Sequence, residues 1–238
     1  MRKGQQDKPD FLRDLDTAIM EELTAGGMRD NAAGLAGVLT QIEEVTQLCG
    51  LPFNGYLAKV ETPRPRGTLD EVIVAFTQDT AQKGCKLPFD VLGEFSIGCK
   101  VLVSGVVQTL KDFKSGKVLV FILAEYIAVS ENPMMQDDIA LRGIIAHEPV
   151  HRTTPRGKRI TDLFIMVRNE LTGNKCFIPC ICWQEQADEA AGWQEGDTVE
   201  LLGRYQSRQY KKVTDADTGE YERRTAYEVS ARLINRKE

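Results

Sequence analysis

Two blocks of this chain follow one plan, and that repetition constrains the fold more than any single motif. Beyond Pro52 apolar residues recur with period two, and the same signals return in the same order. In the first block a strand holds Gly55, and a turn at TPRPRG (Thr62–Gly67) leads to the apolar strand EVIVAFT (Glu71–Thr77). KLPFDVL follows, then the glycine pair Gly98 and Gly105, then a last strand VLVFILAEYIAV. In the second block ALRGIIAHEP holds Gly143, and the turn TTPRGK (Thr153–Lys158) leads to ITDLFIMV. CFIPCICW follows, then Gly196 and Gly203, then AYEVSARLI. Gly55 to Pro88 spans 33 residues and Gly143 to Pro179 spans 36, while the members of each glycine pair stand seven apart. From the proline to the next glycine of the plan is 10 residues in one block and 17 in the other, and the extra seven suit a short helix in QEQADEAAGW.

Five short strands with a helix after the third is the plan of an OB-fold. The expected architecture is mainly β: two tandem OB-fold barrels with an N-terminal helical hairpin. Asp10 can cap a first helix carrying Phe11, Leu12, Leu15, Ile19 and Leu23, stopped by Gly26 and Gly27. Asn31 can cap a second, carrying Leu35, Val38, Leu39, Ile42, Val45 and Leu48. The boundaries are then a helical extension over 1–50, a first OB-fold over 51–130, a linker over 131–137 and a second OB-fold over 138–238.

Charge excludes a polybasic chain: the formal net charge is −5. It is uneven, with five Lys/Arg against nine Asp/Glu in residues 1–50 but sixteen against sixteen in residues 138–238. Local basic grooves remain open to the second block. No apolar run is long enough for a membrane span, and MRKGQQDKPDFLRDLD lacks the apolar stretch of a signal peptide. A cytoplasmic location follows as an expectation, with the six cysteines reduced.

Three of those cysteines fall in KCFIPCICW. Zinc sites pair two short Cys/His spacings, and no second pair follows; His147 and His151 lie on another predicted strand and turn. On a strand, alternation puts Ile178, Cys180 and Cys182 on one face and Phe177, Ile181 and Trp183 on the other. We therefore expect the thiols in the core, no metal or cofactor, and a functional face bearing Phe177 and Trp183.

Residues 138–234 resemble bacterial single-stranded DNA-binding proteins. The resemblance is carried by GIIAHEPVHRTTPRGKRITDLFIMV, by FIPCICWQEQADEAAGWQEGDTVELLGRYQSRQY and by RRTAYEV. It implies sequence-tolerant, non-catalytic binding of single-stranded DNA in replication, repair and recombination, with aromatic positions at Phe177, Trp183 and Tyr210. It makes single-stranded DNA the partner and replication or recombination proteins candidate partners, while the apolar last strand of the first block and the helical hairpin at residues 10–48, with apolar surface to hide, make a homo-oligomer the expected state. Physical chemistry agrees: bases stack on flat side chains and phosphates need cations. Arg156, Lys158 and Arg159 lie in the turn, Arg204 and Arg208 on the fourth strand with the parity of Tyr210, and Lys211, Lys212, Arg223 and Arg224 beyond. Trp193 is expected to pack the helix end onto its barrel.

In the first block, aligning Pro88 with Pro179 sets Lys86 and Leu92 at the positions of Phe177 and Trp183, and aligning Gly105 with Gly203 sets Asp112 at that of Tyr210. That block is expected to serve structure or assembly, its last strand being apolar on both faces. An OB-fold assembly subunit of a primosome-like complex, acting through protein contacts, is the alternative. No nucleotide-binding glycine loop, G-x-S-x-G or H-E-x-x-H motif is present, so no enzyme is expected.

Overall fold

The computed structural model describes residues 29–64, 67–81, 90–131, 133, 136–213 and 221–237, with positions 18 and 21; of residues 211–213 it describes the backbone. The first block supplies β1 (Asn31–Leu48), β2 (Leu51–Pro63), β3 (Leu69–Phe76), the short helices α1 (Gln78–Ala81) and α2 (Val91–Glu94), β4 (Lys100–Lys111) and β5 (Val118–Val129). The second supplies β6 (Gln136–Ile145), β7 (Val150–Thr153), β8 (Arg159–Arg168), β9 (Lys175–Trp183), α3 (Glu185–Ala190), β10 (Thr198–Val213) and β11 (Tyr221–Arg236).

Pairing closes five strands of each block on themselves. In the first ring β1 pairs β2, β2 pairs β3, β3 runs parallel to β5, and β5 pairs β4, which returns to β1. The second ring repeats this with β6, β8, β9, β11 and β10, and β7 adds an outer strand to β8. Inside each ring one parity of every strand packs a core: Leu35, Val74, Phe76 and Ile122 in the first; Ile165, Cys180, Leu201 and Val229 in the second. The short helix between third and fourth strands is α3, and Trp193 just beyond it is buried with Ala187 and Ala190. The glycine pairs are the recurrent hinge of the plan. Gly98 and Gly196 take positive φ, 92° and 96°. A Cβ on Gly105 would meet the backbone oxygen of Leu123, and one on Gly203 that of Ser230, at 2.1 and 2.6 Å, so the fourth strand bends against the fifth only without a side chain.

Antiparallel pairing of β1 with β6 joins the two rings into one eleven-stranded sheet among the described residues. Ala33 opposes Gly105 in β4 and Ile139 opposes Gly203 in β10, so Ala33 and Ile139 are equivalents; they also oppose each other. The rings are thus related by a local twofold at that pair, the arrangement of an isologous dimer made within one chain.

Four expectations are corrected. Residues 31–48 are β1, not a helix. Gly34 and Gly37 weaken a helix, Val38, Thr40, Ile42 and Val45 favour a strand, β2, β4 and β6 pair along its edges, and burial of both faces over Leu35–Gly37 hides the period of two there. The first helix falls outside the described residues, apart from Ala18 and Glu21, which are helical. Because β1 opens the first ring, EVIVAFT is its third strand rather than its second. KLPFDVL is not that third strand: Lys86 lies outside the described residues and Leu92 sits in α2. The turns TPRPRG and TTPRGK also differ in place, the former joining β2 to β3 and the latter β7 to β8.

Candidate nucleic-acid interface

The pleat of β9 divides its side chains. Cys176, Ile178, Cys180 and Cys182 point into the core, while Lys175 and Phe177 point out. On β8, Leu163 and Ile165 point in and Phe164 points out. Phe164 opposes Pro179, and Phe177 opposes Met166. His147, in the connection from β6 to β7, stacks on Phe177 (centroids 6.0 Å, planes 20° apart) and receives Phe164 edge-on at 5.9 Å. Phe164 and Phe177 stay 42% and 38% exposed, so these rings form an open aromatic row. Sequence reasoning found Phe177 alone. The outward parity of Phe164 between Leu163 and Ile165 was a usable signal; His147, in an irregular connection, gave none.

Trp183 ends β9 half-buried, its indole N–H donating to Ser230 Oγ at 3.0 Å, which fixes the ring's tilt. The turn Thr154–Lys158 is closed by Thr154 N–H to Lys158 O (2.7 Å) and Lys158 N–H to Thr154 Oγ1 (3.0 Å). It carries the Lys158 ammonium 5.6 Å over the Trp183 ring, a cation–π pair. Arg156 is exposed on the same turn. Arg159 is held by Asp188 at 2.7 Å, which raises its pKa first by hydrogen bonding.

On the β10–β11 hairpin the exposed Tyr210 opposes Arg224, and the Arg208 guanidinium stands 5.9 Å over its ring. Arg208 also lies 3.5 Å from Glu228, and Arg224 pairs with Glu222 at 2.8 Å. Arg223 is exposed; Lys211 and Lys212 pair through backbone with Arg223 and Glu222. Arg204 is placed otherwise. It turns towards β3 of the first ring, onto Asp70, and donates to Gln206 Oε1 at 2.8 Å. Asp70 also accepts Arg64 Nε and the Ser207 N–H, each at 2.7 Å. Parity set the side on which Arg204 emerges, but the first ring covers that stretch of it.

The thiols are core atoms. Cys176 Sγ accepts the Thr109 N–H at 3.0 Å, burial pushes the Cys180 thiol well up, and burial, then Glu189 and Asp162, pushes that of Cys182 up to about 12. Thiolate chemistry is disfavoured there.

The twofold identifies the first ring's counterparts. Val74 opposes Ile122 as Cys180 opposes Val229, so Glu71 and Thr77 take the places of Phe177 and Trp183, and Asp112 that of Tyr210. The residues differ from Lys86 and Leu92, but these positions are still without aromatics. The outward residues Ile73, Ala75 and Phe121 are buried in a second apolar cluster with Leu48, Phe53 and Leu110. The first ring therefore covers its own outer face with the β1–β2 hairpin.

The sequence model of the Single-strand binding protein family matches residues 137–236, almost the span of the resemblance read from the sequence. Among solved structures, the wild-type single-stranded DNA binding protein from Thermus aquaticus is similar, with TM-score 0.60 and 19% identity over 87% of this chain and 93% of that one. A deletion mutant of the same Thermus aquaticus protein gives TM-score 0.58 and 21% identity over 87% of this chain and 94% of that one. At such identity the likeness is one of fold. Comparison with curated proteins gives no match.

Proposed function

We propose that this chain, whose second ring matches the single-strand binding protein family, is a non-catalytic, sequence-tolerant binder of single-stranded DNA built from tandem OB-folds. The observation that carries the reading is the outer face of the second ring. Phe164, His147 and Phe177 form an open row, Trp183 lies under Lys158 and Tyr210 under Arg208. Aromatic faces with cations above or beside them are what unpaired bases and their phosphates require, and such stacking discriminates little between bases. The first OB-fold begins at β1, extends to β5 and has a covered outer face; the second runs from β6 to β11. Replication, repair and recombination are the processes such binding serves, in the cytoplasm and as a homo-oligomer.

The test is a titration of tryptophan emission with homopolymeric single-stranded DNA at two salt concentrations. Of the two tryptophans, Trp193 is buried and Trp183 is half-exposed. DNA should quench emission, and binding should weaken as salt rises. Trp183→Ala should abolish most of the quenching and cost about 1–3 kcal/mol of affinity. Absence of binding at low salt would overturn the reading.

A further inference from the structure

The β10–β11 hairpin outruns its barrel. β10 pairs with β6 only over Thr198–Gly203, and β11 with β9 only at Val229 and Ser230. From Ser207 and Tyr227 outward, among the described residues, each strand has only the other as a strand partner. A two-stranded ribbon without neighbours twists strongly and is marginal in water. The second ring alone therefore does not fix the direction in which the ribbon carries Arg208 and Tyr210. The first ring supplies what a third strand would. The Ser207 N–H donates to Asp70 Oδ1 at 2.7 Å, and Ser207 O accepts from Arg64 Nη2 at 2.7 Å. A carboxylate and a guanidinium thus take the place of a neighbouring backbone at the outer edge of β10. Ser207 Oγ accepts the Glu71 N–H at 2.8 Å, and on the other strand the Tyr227 hydroxyl donates to the Glu71 carboxylate.

Arg64 is itself held at both ends. Its N–H donates to Thr68 O at 2.7 Å and its carbonyl accepts the Gly67 N–H at 2.9 Å, which fixes it at the mouth of the turn from β2 to β3. Its guanidinium forks onto both oxygens of the buried Asp70 while the same Nη2 reaches Ser207 O. We infer that Arg64, braced by Asp70, is a positioning residue for DNA binding. It lies in the first ring and acts through β10, setting the direction in which the ribbon presents Tyr210 and the Arg208 above it. Glu71, the counterpart of Phe177, is turned to the same use. The first ring, without aromatics at the matched positions, then contributes by aiming those of the second.

This inference rests on the DNA-binding reading of the second ring, and the experiment separates the two. The full-length protein, Arg64→Lys, Tyr210→Ala and the double variant are titrated with oligothymidylate at several salt concentrations, with tryptophan emission as the signal. Lysine keeps the charge but has no planar fork to span Asp70 and Ser207 O together. Arg64→Lys should weaken binding roughly fivefold. The slope of log affinity against log salt should stay as it was, because no charge is lost. In the Tyr210→Ala background the effect of Arg64→Lys should vanish, since the ring to be aimed is gone. No loss in either background, or an equal loss in both, would overturn the inference and leave the reading of the second ring intact. A lowered slope would make Arg64 a phosphate contact and overturn it as well. Urea midpoints report folding; should Arg64→Lys not fold, Ser207→Ala, which removes only the hydroxyl's bond to the Glu71 N–H, carries the same cycle with the same outcomes. Failure of the unaltered protein to bind would instead sink the underlying reading, and this inference with it.

Discussion

Single residues in this protein take their roles from what lies opposite them. Asp137 opens the second ring within β6, and its Oδ1 accepts the Tyr205 N–H at 2.8 Å. Burial pushes its carboxyl up to about 7, against the pull of that N–H and of Arg204 and with Asp70 and Asp138 adding to the rise. A carboxyl whose folded pKa exceeds its unfolded value of about 3.9 stabilises the fold most at low pH. Through this group, stability should therefore fall as pH rises from about 4 to about 7, by up to about 1.4 kcal/mol per pH unit, and level off above. Asp137→Asn keeps an acceptor for Tyr205 and should flatten that part of the profile. Urea midpoints measured across the range check it, and an unchanged slope in the variant would refute the assignment.

At the scale of elements, the β10–β11 hairpin and β1 show two ways in which local pattern falls short. The hairpin's register, with Tyr210 opposite Arg224 and Arg208 opposite Ala226, sets an arginine over an exposed ring. Neutralising it in Arg208→Gln should weaken binding to all homopolymers alike and lower the slope of log affinity against log salt by about one. A loss confined to one base would point to readout of base edges instead. β1 fails as a sequence prediction for a physical reason: over Leu35–Gly37 both of its faces are buried, and from Gln41 to Gln47 exposed polar residues fall on both faces, so neither half alternates cleanly. Its Leu35, Val38, Leu39 and Ile42 match helical spacing by coincidence, and Leu35 and Ala36, adjacent in sequence, are both fully buried.

The whole molecule is bound together across the twofold. Besides the β1–β6 ladder, Asn169 Nδ2 donates to Thr109 O at 3.0 Å and the Glu170 N–H donates to Gln108 Oε1 at 2.9 Å. The fully buried Tyr205 reaches across to Val120 O at 2.5 Å, and Asp70, 1% exposed, gathers Arg64 and Arg204. With so many shared buried groups the two rings should unfold in one cooperative transition. Asp70→Ala should lower its midpoint by an amount equivalent to about 1–3 kcal/mol, moderated because both arginines reach solvent. Two resolved transitions in the unaltered protein would refute this coupling.

Local patterning carried the glycine pairs, the strands of the second ring, the inward thiols of β9 and the outward Phe177, because alternation and glycine geometry are constraints that each segment satisfies alone; it misaligned the first block, whose opening strand is β1 and whose third is EVIVAFT. It also carried the family resemblance, whose motifs are contiguous. The remaining features depend on neighbours distant in the chain. Residues 31–48 became a strand because β2, β4 and β6 all flank them. Arg204 became a tie between rings because Asp70 lies opposite. Phe164 and His147 joined Phe177 because three separate segments converge on one face. Alternation tells which side a residue points to, and the packing of remote segments tells what it finds there.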